Sequence, residues 1–362
     1  MSKTLRHSAA ACVALCAASA CAQTNVQIYG RLNLSAEYVG ASGTGKQARI
    51  ANNRSVIGLR GSEHLGGGLQ ALFQVEGTLA PDTGAGEIAR RDTRVGLEGA
   101  FGTLFLGHWT TAYTGATSGL DPFYPTTAGY MSLLANGAAP STGNTGNLSS
   151  FDRRQANSLH YWTRPWRGVS LRLTHGLGEE RLPGGARPSL LSAAALFERG
   201  PWLAVLAHER HHAYQGAGTH DSGAKAALAR SVGASRVAVI VERLKYGLPG
   251  GVLARNAAYV SFSHQHGAHG LRAALAWAGD GKEAGKGGKG SRIGFVRGGA
   301  GTGAVHLTLG YNYALSKRSS VYAYATRLDN EAAAAYDFAI NSLGAAPGAT
   351  LGGAALGLRH TF

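Results

Sequence analysis

The chain has 362 residues, of which 54 are glycine, 44% are hydrophobic and 15% are charged, and its formal net charge is +15. Beyond the first twenty or so residues, no stretch has the ~18 consecutive apolar residues of a membrane-spanning helix, which excludes a helical membrane protein. The basic character would suit nucleic acid, anionic lipid or anionic solutes as partners.

The N-terminal segment has the parts of an export signal. Two basic residues, Lys3 and Arg6, precede an apolar run, Ala9–Ala20, and small residues follow it. We predict that residues 1–22 are a removed signal peptide and that the mature chain starts at Gln23. Loss of the two basic residues lowers the net charge to +13. Export argues against nucleic acid as a partner.

All three cysteines lie within this predicted signal. Disulfides, cysteine metal sites and thiol catalysis are therefore not expected in the mature chain. Lipoprotein processing at Cys21 is an alternative, but Ala18–Ala20 lacks the large aliphatic residue expected before such a site.

The first predicted strand, Val26–Tyr38, alternates apolar or Gly residues at even positions with polar residues at odd positions, Tyr29 excepted. This alternation is longer than a typical globular strand and fits a tilted membrane strand. Its even face is predicted to contact lipid, which turns Arg31 toward the interior.

Short and long connections alternate along the rest of the chain. Short turns are predicted near residues 64–68, 100–102, 164–168, 199–202, 232–235, 265–270 and 315–319. Long connections are predicted near 39–54, 80–91, 109–152, 176–188, 212–222, 246–253, 280–302 and 329–349. This pattern predicts an all-β fold, a 16-stranded antiparallel transmembrane β-barrel with long extracellular loops and short periplasmic turns. No linker marks a second domain, so residues 23–362 are predicted to form one barrel.

Strand alternation also predicts which polar side chains face the lumen. A lipid-facing Arg at mid-bilayer costs ~2–4 kcal/mol, which favours inward positions for the strand arginines. The predicted basic wall of the pore comprises Arg31, Arg54, Arg60, Arg94, Arg172 and Arg359. Glu98 and His160 are predicted to line the pore as well. A single arginine could instead be a solvated wall residue paired with a nearby carboxylate, as Arg94 with Asp92 or Glu98.

Several short sequence segments resemble those of the Gram-negative general porins of β-proteobacteria. The specific ones are Gly58–Glu63 (Gly-Leu-Arg-Gly-Ser-Glu) and Ala314–Arg318 (Ala-Leu-Ser-Lys-Arg). The resemblance extends over the mature chain, although about 183–286 is generic alternating strand. It implies an outer-membrane homotrimer with its first strands at the subunit interface. It also implies a water-filled channel for passive passage of small hydrophilic solutes and ions.

The resemblance further implies that residues 109–152 form a third extracellular loop that folds inward and narrows the pore. In this loop Asp121, Tyr124 and Tyr130 are the expected channel-facing groups. Alternatively, Asp121 starts a turn with Pro122 while the aromatic residues pack the loop on the wall. The loop offers few acidic residues opposite the basic wall, so we expect weak anion selectivity.

The last stretch, Gly352–Phe362, ends on an aromatic residue in mid-strand. It resembles the C-terminal strand of outer-membrane barrels, whose terminal Phe is read by the barrel-assembly machinery. We therefore predict that Phe362 is an assembly signal and that this strand pairs with Val26–Tyr38. An ordinary terminal strand of a soluble β-protein is the alternative.

Two motifs suggest other chemistry. The segment His208–His212 satisfies the His-Glu-x-x-His pattern of zinc peptidases, but that chemistry needs a helix and the segment is predicted to be strand. The lysine-rich segment Gly281–Gly290 reads as a cationic surface loop near lipopolysaccharide phosphates. We predict no metal, no cofactor and no enzyme activity. An outer-membrane barrel hydrolase and a surface adhesin or receptor barrel remain the alternative functions.

Overall fold

The computed structural model describes residues 25–137, 150–179 and 185–362. The predicted signal peptide, residues 1–22, lies outside the described residues. Strand is the dominant secondary structure of the described part. None of the helices described there is long and apolar enough to cross a membrane.

Sixteen antiparallel strands form the wall of a closed barrel in the described residues. They are β1 (Asn25–Ala41), β2 (Ser55–Gly66), β3 (Leu69–Ala80), β4 (Thr93–Gly99), β5 (Gly102–Thr110), β6 (Arg154–Trp162), β7 (Val169–Gly176), β8 (Ser189–Arg199), β9 (Trp202–His212), β10 (His220–Val232), β11 (Ser235–Leu248), β12 (Gly251–His266), β13 (His269–Ala278), β14 (Ala304–Ala314), β15 (Ser319–Asn330) and β16 (Thr350–Thr361). Each pairs with its sequence neighbours, and β1 pairs with β16. The predicted fold is confirmed.

Pairing between β1 and β16 continues to the last residue of the chain. The register runs from Arg31 opposite Thr361 to Ala41 opposite Leu351. Phe362 exchanges both of its backbone hydrogen bonds with Gly30, each at 3.1 Å. The aromatic ring of Phe362 lies over Gly30, where a Cβ atom would collide with it. Closure removes the two exposed sheet edges that an open sheet of this size would present.

The seven short turns lie where alternation predicted them. The first contains Gly66, Gly67 and Gly68 with φ values of +87°, +57° and +78°. Glycine adopts this left-handed region without the steric cost that a Cβ atom brings.

The predicted long connection at 246–253 is wrong. Leu248 pairs with Gly251, so only Pro249 and Gly250 separate β11 from β12. Pairing extends this far because Tyr246 and Leu253, which are opposite each other, are fully buried on the inner face. The two strands therefore continue as a ribbon beyond the expected end.

The barrel wall has an apolar outer face. In β11, Val237, Val239 and Val241 are 45%, 41% and 51% exposed, whereas the alternate residues Ala238 and Ile240 are buried. Side chains on opposite faces of a strand alternate with period 2. An exposed ring of such apolar residues requires hydrocarbon as its solvent, as in transmembrane barrels.

The connection between β5 and β6 folds into the barrel. It contains a helical turn α1 (Ala112–Gly115) and two 3₁₀ turns, Ser118–Leu120 and Tyr130–Ser132. Its apolar side chains are each at most 4% exposed: Tyr113, Leu120, Phe123, Met131, Leu133, Leu134 and Phe151. They pack against wall residues such as Ile240 and Tyr259. The interior core therefore lies between this loop and the wall, on one side of the lumen.

Candidate functional site

The open part of the lumen lies between the third loop and the wall that carries β1 to β7. It forms a cavity of about 290 Å³. Its charged and aromatic lining consists of Arg31, Glu76, Arg91, Asp92, Trp109, Tyr124, Arg154, Trp162 and Arg172. Four of these side chains are cationic and two are anionic, so the lining carries a positive excess.

Each of the two carboxylates in this cavity is bound to its own arginine. Glu76 accepts from Arg91 Nε at 2.7 Å, and Asp92 accepts from Arg154 Nε at 2.9 Å. Asp92 Oδ1 also accepts from the backbone N–H of Thr110 at 2.9 Å. These ion pairs neutralise two of the four arginines and leave the other two without compensation.

Three arginines predicted for the basic wall form no ion pair in the described chain: Arg31 and Arg172, which line this cavity, and Arg54, which lies beside it. Arg31 Nη2 donates to the carbonyl oxygen of Arg54 at 2.9 Å, and Arg54 Nη1 donates to the Tyr124 hydroxyl at 3.0 Å. Arg172 lies over the Trp162 ring at 5.2 Å from its centroid. In the described part of the chain, none of the three lies within 4.0 Å of a carboxylate oxygen. Their charges are therefore not neutralised by a carboxylate of the described residues.

The other three predicted arginines lie around this cavity. Arg60 donates through Nε to Gln27 Oε1 at 3.0 Å on the exposed inner surface. Arg359 lines an adjoining narrower cavity that also contacts Tyr124. Arg94 is enclosed by aromatic rings, with its guanidinium carbon 4.4 Å from the Trp109 centroid. The structure places all six predicted arginines inside the barrel, although Arg94 packs in the wall rather than in the open channel.

Three residues predicted to line the pore are buried instead. Asp121, Tyr130 and His160 are 5%, 5% and 0% exposed, so their prediction as open pore-lining groups is wrong. His160 is enclosed by two wall hydroxyls, Ser158 at 2.9 Å and Thr174 at 3.0 Å. Alternation correctly turned this histidine inward, but it could not show that the third loop and neighbouring rings cover it.

Asp121 shapes the third loop rather than the channel. Its carboxylate accepts from the backbone N–H groups of Phe123 at 2.9 Å and Tyr130 at 3.1 Å, and from the Tyr259 hydroxyl at 2.8 Å. Burial raises the pKa of Asp121 to about 6, although these hydrogen bonds oppose the shift. The contacts match the alternative in which Asp121 starts a turn and Tyr130 packs the loop on the wall.

Glu98 and Tyr124 remain accessible from the lumen. Glu98 is exposed and accepts a hydrogen bond from Thr103 Oγ1 at 3.2 Å. Tyr124 lines the main cavity and orients Arg54. Of the predicted loop residues, Tyr124 alone therefore contributes a side chain to the open channel.

The third loop is fixed to the wall by a buried ionic cluster. Glu242 Oε1 accepts from the Tyr113 hydroxyl at 2.7 Å, and Oε2 accepts from the Ala135 backbone N–H at 2.7 Å. Arg255 Nη2 lies 3.1 Å and Lys225 Nζ lies 3.8 Å from the same carboxylate. Arg255 also donates to the carbonyl oxygen of Leu133. One carboxylate thus joins two loop segments to three strands.

Sequence reasoning missed Arg91, Arg154, Glu76 and Arg272. Arg91 is the last residue of the predicted connection 80–91, and Arg154 lies two residues beyond the predicted connection 109–152, at the first position of β6. Arg272 donates through Nη1 to the carbonyl oxygen of Pro122 at 2.9 Å and supports the third loop. Side chains alternate between the two faces of a strand, so the outward-facing Leu271 and Leu275 would have placed Arg272 on the inner face. For Arg154, the pairing of β5 with β6 shifts register between Gly107 and Trp109, which prevents extension of the pattern.

The His208–His212 segment is strand, as expected, and lies in β9. His208 and His212 are exposed on the outer face, whereas Glu209 and His211 are buried inside. No group of three or more His, Cys, Asp or Glu residues in the described portion is arranged to hold a metal ion.

Comparison with known proteins gives the family. The model of the Gram-negative porin family matches residues 8–333. The chain is 24% identical over 360 residues to outer membrane porin protein 32 of Delftia acidovorans, covering 95% of this chain and 96% of that one. Among solved structures, it resembles an anion-selective porin from Comamonas acidovorans with a TM-score of 0.76, 22% identity and coverage of 94% and 100%.

It also resembles the trimer form of OmpT from Vibrio cholerae, with a TM-score of 0.65, 14% identity and coverage of 94% and 99%. At these identities the solved structures establish the fold alone. Together with the whole-barrel closure, the family match establishes that this chain is an outer-membrane protein of the Gram-negative porin family.

Proposed function

We propose that the barrel is a general diffusion channel for small hydrophilic solutes and ions, with a weak preference for anions. The observation that carries this proposal is the unequal pairing of charges in the open lumen. Glu76 and Asp92 are each bound by an arginine, whereas Arg31, Arg54 and Arg172 have no acidic partner among the described residues. Unpaired guanidinium groups attract anions and carboxylates from the water in the channel.

The selectivity is weak because the opposing surface supplies little organised charge. The described part of the third loop that faces the cavity contributes uncharged residues such as Ser118 and Tyr124, while Asp121 is withdrawn into the loop. The porin from Comamonas acidovorans, which shares the fold, is anion-selective, and this agrees with a preference of the same sign. At 22% identity the two lining surfaces differ in sequence, so the preference here rests on this chain's own arginines.

The third loop, residues 109–152, acts as the constriction. Its hydrogen bonds to Ser192, Glu242, Tyr259 and Arg272 hold its described residues across the lumen. A long loop inside a barrel limits the size of passing solutes more than the barrel diameter does. The loop therefore acts as a size filter, and the arginines opposite it bias the charge of what passes.

The functional assembly is a homotrimer with the first strands at the subunit interface. A trimeric OmpT structure shares the fold, and the outer face near the seam carries apolar residues such as Val26, Ile28 and Leu358. Residues 1–22 are the export signal, and residues 23–362 form the barrel. Phe362 serves the barrel-assembly machinery, and membrane lipid and lipopolysaccharide surround the trimer. The channel works without cofactor and without catalysis.

A planar-bilayer experiment tests the proposal. Purified trimers should give stepwise increases in membrane current at low applied voltages. The current should scale with salt concentration, as expected of an open, water-filled channel. In a tenfold KCl gradient the reversal potential should have the sign of anion preference. Absence of steps would refute the channel, and a cation-preferring potential would refute the role of the arginines.

A further inference from the structure

We propose that the outer face of β7 to β13 binds one phosphorylated lipid of the outer leaflet, of the lipopolysaccharide type. Its phosphate is bound by Arg243, and its acyl chains occupy an apolar groove on the periplasmic side of that residue. This inference deepens the lipid partnership proposed above and rests on it. It assigns a position and a ligand chemistry to one sector of the barrel.

The groove is a recess of about 900 Å³ on the outer face. Its floor is made of small side chains and its sides of larger apolar ones. The floor is formed by Ala193, Ala195, Ala224, Ala226 and Ala258, and the sides by Leu171, Leu173, Leu206, Val241 and Trp277. Small residues flanked by Leu and Trp leave a concave apolar surface, in which an acyl chain makes more contacts than on a flat wall.

Strand register arranges these residues in rows across the barrel. Leu206, Ala226, Val241, Ala258 and Trp277 are successive cross-strand partners and form one row. The next row toward the extracellular side contains His208, Ala224, Arg243 and Asn256. Arg243 therefore stands at the extracellular end of the groove.

Arg243 has no counter-charge among the described residues. Its side chain is exposed, and in the portion that the structure describes it makes no ion pair or side-chain hydrogen bond. The acidic residues of β9, β10 and β11, which are Glu209, Asp221 and Glu242, point inward and are at most 4% exposed. The compensating anion must therefore come from the surroundings of the barrel.

The depth of Arg243 selects a membrane lipid as the source of that anion. On β10, Arg230 lies opposite Val237, six residues along β11 from Arg243. At ~3.4 Å per residue and a tilt of ~40°, the two arginine levels are about 15 Å apart along the membrane normal. A typical apolar band is ~25 Å tall, so with Arg230 at its periplasmic border Arg243 lies inside the band, where its charge needs the phosphate of a bound lipid. Arg230 is partnered by stacking on Trp202 at 4.9 Å.

The charges further out favour an outer-leaflet lipid with several anionic groups. Arg210 and Lys245 lie on the outer face one row beyond Arg243, on either side of Ser222. All three basic residues lie at the end of the strands opposite to the short turns and to Phe362, which is the extracellular end in barrels of this kind. A phosphorylated lipid head group there would contact Arg243 and its two basic neighbours together.

The position around the barrel favours lipid over a second copy of the chain. The groove is centred on β9 to β11, which are half-way around the sixteen strands from the β1–β16 seam. The proposed subunit interface lies at that seam. This sector therefore faces the bilayer in the trimer.

Native mass spectrometry of purified trimers tests the assignment. Diphosphorylated lipid A is titrated against the wild type, and its dephosphorylated form serves as the ligand control. We expect one lipid A per protomer, at least tenfold weaker binding in Arg243→Gln, and at least tenfold weaker binding of the dephosphorylated lipid. Arg230→Gln, which also faces lipid but lies outside the groove, should bind within twofold of the wild type.

A second pair of variants tests the groove. Ala226→Phe fills the floor and should weaken lipid A binding at least fivefold, whereas Ala204→Phe, one row nearer the periplasm on β9, should leave it unchanged. Equal binding by the wild type and Arg243→Gln, or equal binding of the two lipids, would overturn the proposal. Channel conductance is measured on the same samples, so that failure of the lipid assignment can be distinguished from failure of the proposed channel function. If Ala226→Phe does not assemble, the test rests on Arg243→Gln alone. That variant is expected to fold because the Arg243 side chain is exposed.

Discussion

Replacement of Glu242 by glutamine should loosen the third loop while leaving the barrel wall intact. Glutamine has nearly the same shape, so no cavity is created. The fully buried guanidinium of Arg255 and the Lys225 ammonium, however, lose the one carboxylate of the described chain that lies within 4.0 Å of them, at 3.1 and 3.8 Å. Removal of one partner from a buried ion pair costs ~3–5 kcal/mol. The amide also cannot accept hydrogen bonds from both Tyr113 and Ala135.

The effect should appear in stability and in conductance together. We expect the free energy of unfolding in urea to fall by ~3–5 kcal/mol. We also expect single-channel conductance to rise and become noisier, because the loop no longer holds one position across the lumen. Glu198→Gln is the matched control, since Glu198 is exposed beside the short turn between β8 and β9 and makes no ion pair in the described residues. A Glu242→Gln protein with wild-type conductance and stability would refute the role of this cluster.

Two further substitutions test the seam and the loop. Gly30→Ala should lower the free energy of unfolding by ~1–3 kcal/mol, because the added carbon displaces the Phe362 ring. Gly119→Ala, with open space around the added carbon, should leave the free energy of unfolding unchanged. Equal effects of the two substitutions would contradict the packing at the seam. Because Asp121 has a folded-state pKa of about 6, above its unfolded value, its carboxyl binds a proton earlier in the folded protein as pH falls. The stability of the wild type relative to Asp121→Asn should therefore rise by about 3 kcal/mol between pH ~7 and pH ~3, and a constant difference would contradict the burial of this group.

The barrel could be predicted from the sequence because its wall is periodic. Alternation within Val26–Tyr38 and at Phe362 reports directly which face meets hydrocarbon, since each apolar side chain faces lipid independently of distant contacts. The same logic placed Arg31 and Arg172 inside. The connection at 246–253 failed because its pairing depends on the buried contacts of Tyr246 and Leu253, which no local pattern records.

The open channel was less predictable because it depends on how the third loop packs. Asp121 and Tyr130 are polar loop residues, yet long-range contacts with Tyr259 bury both. Arg91 and Arg154 lie at the ends of long connections and acquire their role through ion pairs with residues that are distant in sequence. Periodicity assigns a residue to a face of the wall, but it does not assign the residues that the loop covers.

The reversal potential in a tenfold KCl gradient tests the central claim, that unpaired arginines give this channel its charge preference. The wild type should show anion preference, and the Arg31→Gln, Arg54→Gln, Arg172→Gln triple variant should move toward zero while still conducting. A cation-preferring wild type, or a triple variant with the wild-type potential, would contradict the account.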